Sequence, residues 1–342
     1  MGDGETAAAS GRDTAFLGHP AGLGWLSFCE FWERFSYYGM QALLVLYMTH
    51  TLLHPGHIEH VIGFAPFRRA VEAIYGSGLS PQALASAIFG LYTGFVYLTP
   101  IGGGLLADRL LGRTRTVALG ASLMALGHFL MAFEASFLFA LLCLLIGVGC
   151  FKGNISSQVG ELYGHGDPRR ADAFQIFLFT IQIAVIASPL VCGTLGQVYG
   201  WHWGFGAAGV GMLIGLTIYL VGRSRLPAEA PVRRDAAAPA RPPLTGTEWK
   251  TILVLVALLP VLAVALVGNQ EIFNAYEVWG DAHYQLSFAG QTMPVTWLIS
   301  FDALISTAML VGSPTMMARG RGRSRPRRAM SGRTPVQPIS SS

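Results

Sequence analysis

Residues 23–52 of the chain read LGWLSFCEFWERFSYYGMQALLVLYMTHTL. A membrane-spanning helix needs about 20 mostly apolar residues, and this stretch exceeds that length while carrying Glu30, Glu33 and Arg34. Charged groups near the middle of such a helix cost roughly 2.5–3.5 kcal/mol each on insertion. The stretch therefore predicts a retained transmembrane helix whose charges have a function, and it is too long for a cleavable signal peptide.

The composition of the whole chain agrees with a membrane location. Of 342 residues, 52% are hydrophobic and 12% are charged, with a mean hydropathy of +0.47. Soluble domains contain about 25% charged residues, so a soluble enzyme and a disordered protein are both disfavoured. The net charge of +4 does not indicate a nucleic-acid partner, because the basic residues fall in short loops between apolar segments.

Eight apolar segments predict an all-α membrane protein that contacts the lipid bilayer. These predicted spans are 23–52, 84–106, 114–134, 137–160, 173–195, 203–222, 250–272 and 293–312. The longer connection at 53–81 is expected to contain a short interfacial helix near 67–74. The predicted parts are a cytoplasmic N-terminus, a six-helix N-terminal bundle, a cytoplasmic linker, two further helices and a disordered basic tail: 1–22, 23–222, 223–249, 250–312 and 313–342.

The loop charges predict how the chain is oriented. With the N-terminus in the cytoplasm, 19 of the 23 Lys and Arg residues lie on the cytoplasmic side, and only Arg68 and Arg69 lie outside. Cytoplasmic loops are enriched in these residues. We therefore expect a multi-pass protein of the inner, cytoplasmic membrane with both termini inside.

The last thirty residues differ from the rest of the chain. They contain seven Arg and no Leu, Phe, Trp or Tyr, a composition that cannot form a core. The change is abrupt, which favours a reading-frame change or a truncation over an ordinary polybasic tail.

The charges of the first span fall on one side of a helix. Glu30, Glu33, Arg34, Tyr37 and Gln41 follow the spacing i, i+3, i+4, i+7 and i+11, so they form one polar stripe. Such a stripe must face a water-filled cavity or the bundle interior. Two carboxylates beside an arginine can exchange protons, which indicates a proton relay; the alternative is a salt-bridge network that only locks helices.

Further groups suit an anionic, partly apolar substrate. Lys152 lies in the glycine-rich run 147–154, where helices can approach closely. Together with Arg34 it could bind a substrate carboxylate. Tyr37, Tyr38 and Tyr97 offer hydroxyls and apolar rings.

Residues 102–112, GGGLLADRLLG, end the second span. Their glycines permit close helix contact, and Asp108, Arg109 and Arg113 are candidates for gate salt bridges at the membrane face. A loop of this form is common between the second and third helices of the major facilitator superfamily.

No metal site, cofactor or enzyme activity is expected. The four cysteines lie in apolar runs and include no Cys-x-x-Cys pair. His57 and His60 lack an obvious further ligand, and neither Gly-x-Ser-x-Gly nor His-Glu-x-x-His occurs.

Residues 30–39, EFWERFSYYG, closely resemble the ExxERFxYYG signature of the proton-dependent oligopeptide transporter family, a branch of the major facilitator superfamily. The run at 103–112, Lys152 with Asn154, and Glu161-Leu-Tyr163 are similar to the family too. The resemblance covers about residues 17–312 and implies a proton-coupled symporter of di- and tripeptides, with protons as the coupling ion.

The resemblance also implies residue roles. Glu30, Glu33 and Arg34 would couple proton binding to peptide binding, and Lys152 would pair with their carboxylates or with the peptide carboxylate. The implied peptide site consists of Arg34, Tyr37, Tyr38, Gln41, Tyr97, Lys152, Gln182, Asn269 and Asp302.

Some positions depart from the family pattern. Gln41 stands where the family often has arginine, Gln182 replaces an asparagine, and the expected Glu-Gln pair of the seventh helix reads Asn269-Gln270, with Glu271 one step later. Family members usually have two six-helix bundles, whereas this chain has one bundle plus two helices, so we expect impaired transport. The alternatives are a transporter of another peptide-like or amino-acid-derived anion, and a non-transporting membrane remnant.

Overall fold

The computed structural model describes residues 13–164, 166–227, 245–288 and 290–309. The α-helices are α1 (Ala21–Tyr47), α2 (Phe64–Tyr75), α3 (Pro81–Leu106), α4 (Arg113–Leu130), α5 (Phe137–Glu161), α6 (Arg169–Ser188), α7 (Trp201–Gly222), α8 (Gly246–Glu271), α9 (Ala275–His283) and α10 (Trp297–Met309). Tighter or wider helical turns lie at Met48–Leu52, Ile58–His60, Ala107–Leu111, Glu134–Ser136, Pro189–Gly193, Leu195–Tyr199 and Arg223–Arg225.

The helices coincide with all eight predicted spans, and α2 contains the predicted interfacial helix. Judged by length and composition alone, five segments of the described residues could cross a membrane: Pro81–Leu111, Glu134–Glu161, Arg169–Tyr199, Trp201–Arg225 and Gly246–His283. The structure also contains a β-hairpin, with two residues in each strand, that the sequence did not predict. Its strands β1 (Ser287–Phe288) and β2 (Gln291–Thr292) pair antiparallel, with Ser287 opposite Thr292.

Local sequence explains where several helices begin. Pro81 occupies the first turn of α3, where its missing N–H costs nothing, and the hydroxyl of Ser80 accepts a hydrogen bond from the Ala83 N–H. Thr245 and Glu248 form a capping box at the start of α8. Gly112 separates α3 from α4 with φ of 80°, a conformation that favours glycine.

Helices α1 and α3–α7 form one bundle. In it, α1 packs on α6 and α7, while α5 packs on α3 and α4. Glycines allow the close contacts: a Cβ at Gly103 would overlap the backbone of Gly149, and one at Gly120 would lie 2.7 Å from the carbonyl oxygen of Gly147. Of the glycines at 102–104, only Gly103 makes such an approach. The glycine-rich run around Lys152 therefore fixes α5 against two neighbours.

The chain separates into two compact units, Met1–Ala303 and Leu304–Ser342. The first contains α1–α9, the hairpin and the start of α10. Of the second, the structure describes 304–309, the end of α10. The basic tail and residues 228–244 of the predicted linker lie outside the described residues, so these parts of the predicted division stay predictions.

Candidate functional site

The first helix holds a buried ion cluster. Glu30, Glu33 and Arg34 are 3%, 0% and 3% exposed. Arg34 Nε lies 3.1 Å from Glu30 Oε1, and Arg34 Nη2 donates to Glu33 Oε1 at 2.8 Å. Arg34 Nε also contacts Glu33 Oε2. Arg34 thus lies between the two carboxylates, as the spacing predicts, and one cation holds two anions away from water.

The rest of the polar stripe continues along α1. The guanidinium of Arg34 lies 5.2 Å from the ring centroid of Tyr37. Tyr38 is half-buried and stacks on Phe273, with the ring centroids 5.8 Å apart and the planes inclined by 20°. Gln41 is buried, and its Oε1 has no hydrogen-bond partner among the described residues. The stripe therefore runs from an ion cluster to aromatic rings and an unused acceptor.

Lys152 has a different neighbour from the one that we expected. No carboxylate of the described residues lies within 4.0 Å of its ammonium. The ammonium lies 4.8 Å from the ring centroid of Tyr97. The expected pairing with the carboxylates of α1 is thus not formed, and both carboxylates contact Arg34 on their own helix.

Tyr97 faces open space and is 56% exposed. Its hydroxyl accepts a hydrogen bond from Gln270 Nε2 at 2.9 Å. Gln270 and Phe273 thus reach the bundle from the end of α8 and the turn after it. The sequence assigns neither residue a role. Their partners, Tyr97 and Tyr38, lie more than 170 positions earlier, and the spacing of residues within α8 does not indicate contacts with another helix.

Three other predicted site residues make no polar contact with the ion cluster of α1 or with Tyr97 among the described residues. Gln182 is half-buried in α6, Asn269 is exposed on α8, and Asp302 is exposed on α10. The side chains of these three residues form no hydrogen bond or ion pair within the part of the chain that the structure describes. Their places in the peptide site stay predictions.

Two of the three predicted gate residues, Asp108 and Arg113, form an ion pair, and Arg113 has a further partner that was not predicted. Asp108 Oδ1 lies 3.8 Å from Arg113 Nη2, and Arg113 Nη1 also forms an ion pair with Glu161. Arg109 is exposed. Asp108 thus pairs with Arg113, which follows the turn at Gly112, and the described residues include no ion pair of Arg109. Glu161 was noticed only as part of a family motif.

Two histidines that we considered as metal ligands have another role. His57 Nδ1 lies 2.6 Å from Glu134 Oε1, and His60 Nδ1 lies 3.2 Å from Glu134 Oε2. Glu134 precedes α5, so these contacts join the loop after α1 to the turn between α4 and α5.

Contacts between the bundle and residues 274–303 lie at the same end as this loop. His50 Nε2 is 3.0 Å from Asp281 Oδ2. Thr296 Oγ1 donates to Gln197 Oε1 at 2.9 Å, and Trp297 Nε1 donates to Thr194 Oγ1 at 2.8 Å. Polar contacts that the sequence did not reveal therefore link residues 274–303 to this end of the bundle, which is opposite the end that carries Asp108, Arg113 and Glu161.

Together, the all-helical bundle and its buried ion cluster define a multi-pass membrane protein of the major facilitator type. The POT family profile matches residues 114–240. A crystal structure of the peptide transporter POT in complex with sulfate is similar, with a TM-score of 0.66 and 27% identity, covering 92% of this chain and 72% of that one.

Curated relatives agree. The di-/tripeptide transporter of Lactococcus lactis subsp. cremoris is 39% identical over 267 residues, 77% of this chain and 48% of that protein. The peptide transporter YePEPT of Yersinia enterocolitica is 41% identical over 209 residues, 60% of this chain and 37% of that protein. In sequence and in fold the chain is similar to POT family transporters. It spans about half the length, or less, of the curated relatives that it matches.

Proposed function

We propose that this protein is a proton-coupled symporter of di- and tripeptides across the cytoplasmic membrane. The observation that carries the proposal is the burial of Arg34 between Glu30 and Glu33 on α1, the first of the predicted spans. A cluster kept only for packing would be an expensive choice inside a membrane. The names of the relatives supply the substrate class.

The cluster offers a simple way to couple a proton to a ligand. With both carboxylates ionised, Arg34 is shared between them. A proton on Glu33 removes one of the two charges that hold the guanidinium, so part of its hydrogen-bonding fork becomes free for a substrate carboxylate. Proton binding and peptide binding then favour each other, which is reciprocal linkage.

The neighbouring groups fit the remainder of a short peptide. The stacked rings of Tyr38 and Phe273 and the exposed ring of Tyr97 provide apolar surface with polar edges. The Oε1 of Gln41 is buried without a partner among the described residues, so it is available to a peptide N–H or an α-ammonium group. Lys152 is a second cation near the ligand carboxylate.

Binding as a function of pH tests the coupling without requiring a complete transport cycle. We expect the purified protein in lipid nanodiscs to bind a labelled dipeptide more tightly as the pH falls. Glu33→Gln resembles the protonated carboxyl group, so it should bind at every pH much as the native protein binds in acid. The control Glu72→Gln removes a carboxylate on α2, far from the cluster, and should leave the pH profile unchanged. A full pH dependence in Glu33→Gln would refute the coupling role.

The second candidate is a transporter of another peptide-like or amino-acid-derived anion. Gln41 favours it, since the α1 stripe has a neutral amide in place of a further cation. Competition decides between the two: a carboxylate ligand without a peptide bond should displace the labelled dipeptide poorly under our proposal. Binding of that ligand with no binding of dipeptides would support the second candidate.

We further propose that the loops rich in arginine face the cytoplasm. The four native cysteines are buried, so introduced cysteines give a clear signal. Ile62→Cys, at a residue that is 76% exposed, should react with an impermeant maleimide added outside intact cells. Arg170→Cys, in the first turn of α6, should react only after lysis. The reverse pattern would contradict the orientation.

A further inference from the structure

Three helices meet at the ring of Tyr97. Tyr97 belongs to α3, Lys152 to α5 and Gln270 to α8. Gln270 Nε2 donates to the Tyr97 hydroxyl at 2.9 Å, and the Lys152 ammonium lies 4.8 Å from the centre of the same ring. The tyrosine therefore joins a residue of α8 to the Lys152 ammonium of the proposed peptide site.

Packing alone does not hold this ring in place. The side chain of Tyr97 is more than half exposed, and exposed side chains change rotamer readily. The hydrogen bond to its hydroxyl restricts that rotation. A restrained aromatic face attracts a cation, which explains why Lys152 lies on the ring although two carboxylates are present on α1.

A second contact restrains the aromatic side of the site from the same direction. Phe273, three residues after Gln270, stacks on Tyr38 of α1. Phe273 is buried, whereas α8 itself has no buried residue. The end of α8 and the turn after it thus contact the proposed peptide site, through Gln270 and Phe273.

We propose that Gln270 is a positioning residue for Lys152, which acts through the hydroxyl of Tyr97. The role of Lys152 toward the peptide rests on the proposed function, whereas its positioning by Gln270 and Tyr97 does not. While Gln270 holds Tyr97, the ammonium stays on the ring and away from Glu30 and Glu33. When Gln270 is removed or α8 moves away, Tyr97 turns and Lys152 approaches those carboxylates.

The lysine content of the chain makes this testable. Lys152 and Lys250 are its only lysines, and Lys250 is exposed at the start of α8. A lipid-soluble carbodiimide activates a buried carboxyl group, and a nearby lysine amine then displaces the urea and forms an amide. Mass spectrometry of the product reports how often Lys152 lies beside Glu30 or Glu33, with no peptide ligand involved.

The variants separate positioning from a general loss of structure. Gln270→Leu and Tyr97→Phe each delete the hydrogen bond, and Tyr97→Phe keeps the ring. Both should raise the yield of the Lys152 cross-link roughly two- to fivefold, the population change that a cation–π contact at an exposed site is worth. The double variant should not exceed either single one, because both remove the same bond. Val267→Ala, at another exposed position of α8, should leave the yield unchanged.

The outcomes are distinct from those of the peptide-binding test. An unchanged yield in both Gln270→Leu and Tyr97→Phe, additive effects in the double variant, or an equal rise in Val267→Ala would each overturn the positioning role. Absence of dipeptide binding by the native protein would overturn the proposed function and leave the cross-link result standing. Circular dichroism of each variant confirms that it is folded before its yield is compared.

Discussion

Helices α1 and α8 have almost the same length and opposite environments. Of the 27 residues of α1, 21 are buried, including all three of its charged residues. The 26 residues of α8 include none that is buried, although its interior is a nearly continuous apolar run. The more apolar helix is thus the exposed one.

This contrast follows from the membrane as a solvent. Hydrocarbon accepts apolar side chains at no cost, so an apolar helix does not need a protein neighbour. Charged groups find partners only inside the bundle, so the helix that carries them is enclosed by others. Between these two helices, burial therefore follows the charged residues and not the apolar content, although most buried side chains of the bundle are apolar.

The largest expected effect comes from removing the cation of α1. Arg34→Ala leaves two buried carboxylates without a partner, and breaking such a pair costs about 3–5 kcal/mol. We expect a clear fall in the thermal unfolding temperature in detergent. A triple variant, Glu30→Gln, Glu33→Gln and Arg34→Met, should recover most of that stability, since no unpaired charge remains. Equal stability of Arg34→Ala and the native protein would mean that the cluster is hydrated.

A charge placed in α8 tests the other half of the contrast. Leu259 is near the middle of α8 and is 59% exposed. If this surface faces lipid, Leu259→Arg should cost about 2.5–3.5 kcal/mol of insertion free energy, measured by glycosylation mapping of α8 in microsomes. Leu259→Ala is the control and should insert normally. Normal insertion of the arginine variant would indicate that this face of α8 meets water or a polar partner.

The smallest effect is expected at the start of α8. Thr245 caps this helix outside the bundle, and loss of such a cap costs about 1 kcal/mol. Thr245→Ala should speed amide hydrogen exchange at residues 246–250 and leave dipeptide binding unchanged. Thr247→Ala, inside the helix, is the matched control. Faster exchange near Arg34 as well would show that α8 and α1 are more strongly coupled than their contacts suggest.

The sequence by itself determined the helices and the cluster on α1. Apolar segments of about 20 residues have one stable form in a membrane, so the spans follow from composition. Arg34 meets Glu30 because positions four apart lie on the same face of an α-helix, and its long side chain also reaches the adjacent Glu33. These contacts are made within one helix, so they do not depend on how the helices pack.

Only the tertiary structure decided which groups meet across helices. Lys152 lies on Tyr97 and not beside Glu33, Arg113 pairs with Glu161, and Gln270 reaches the hydroxyl of Tyr97. These partners depend on how far each helix is rotated and displaced against its neighbours. That is set by close packing at sites such as Gly103 and Gly149, because small residues let two backbones approach and so fix which side chains face each other.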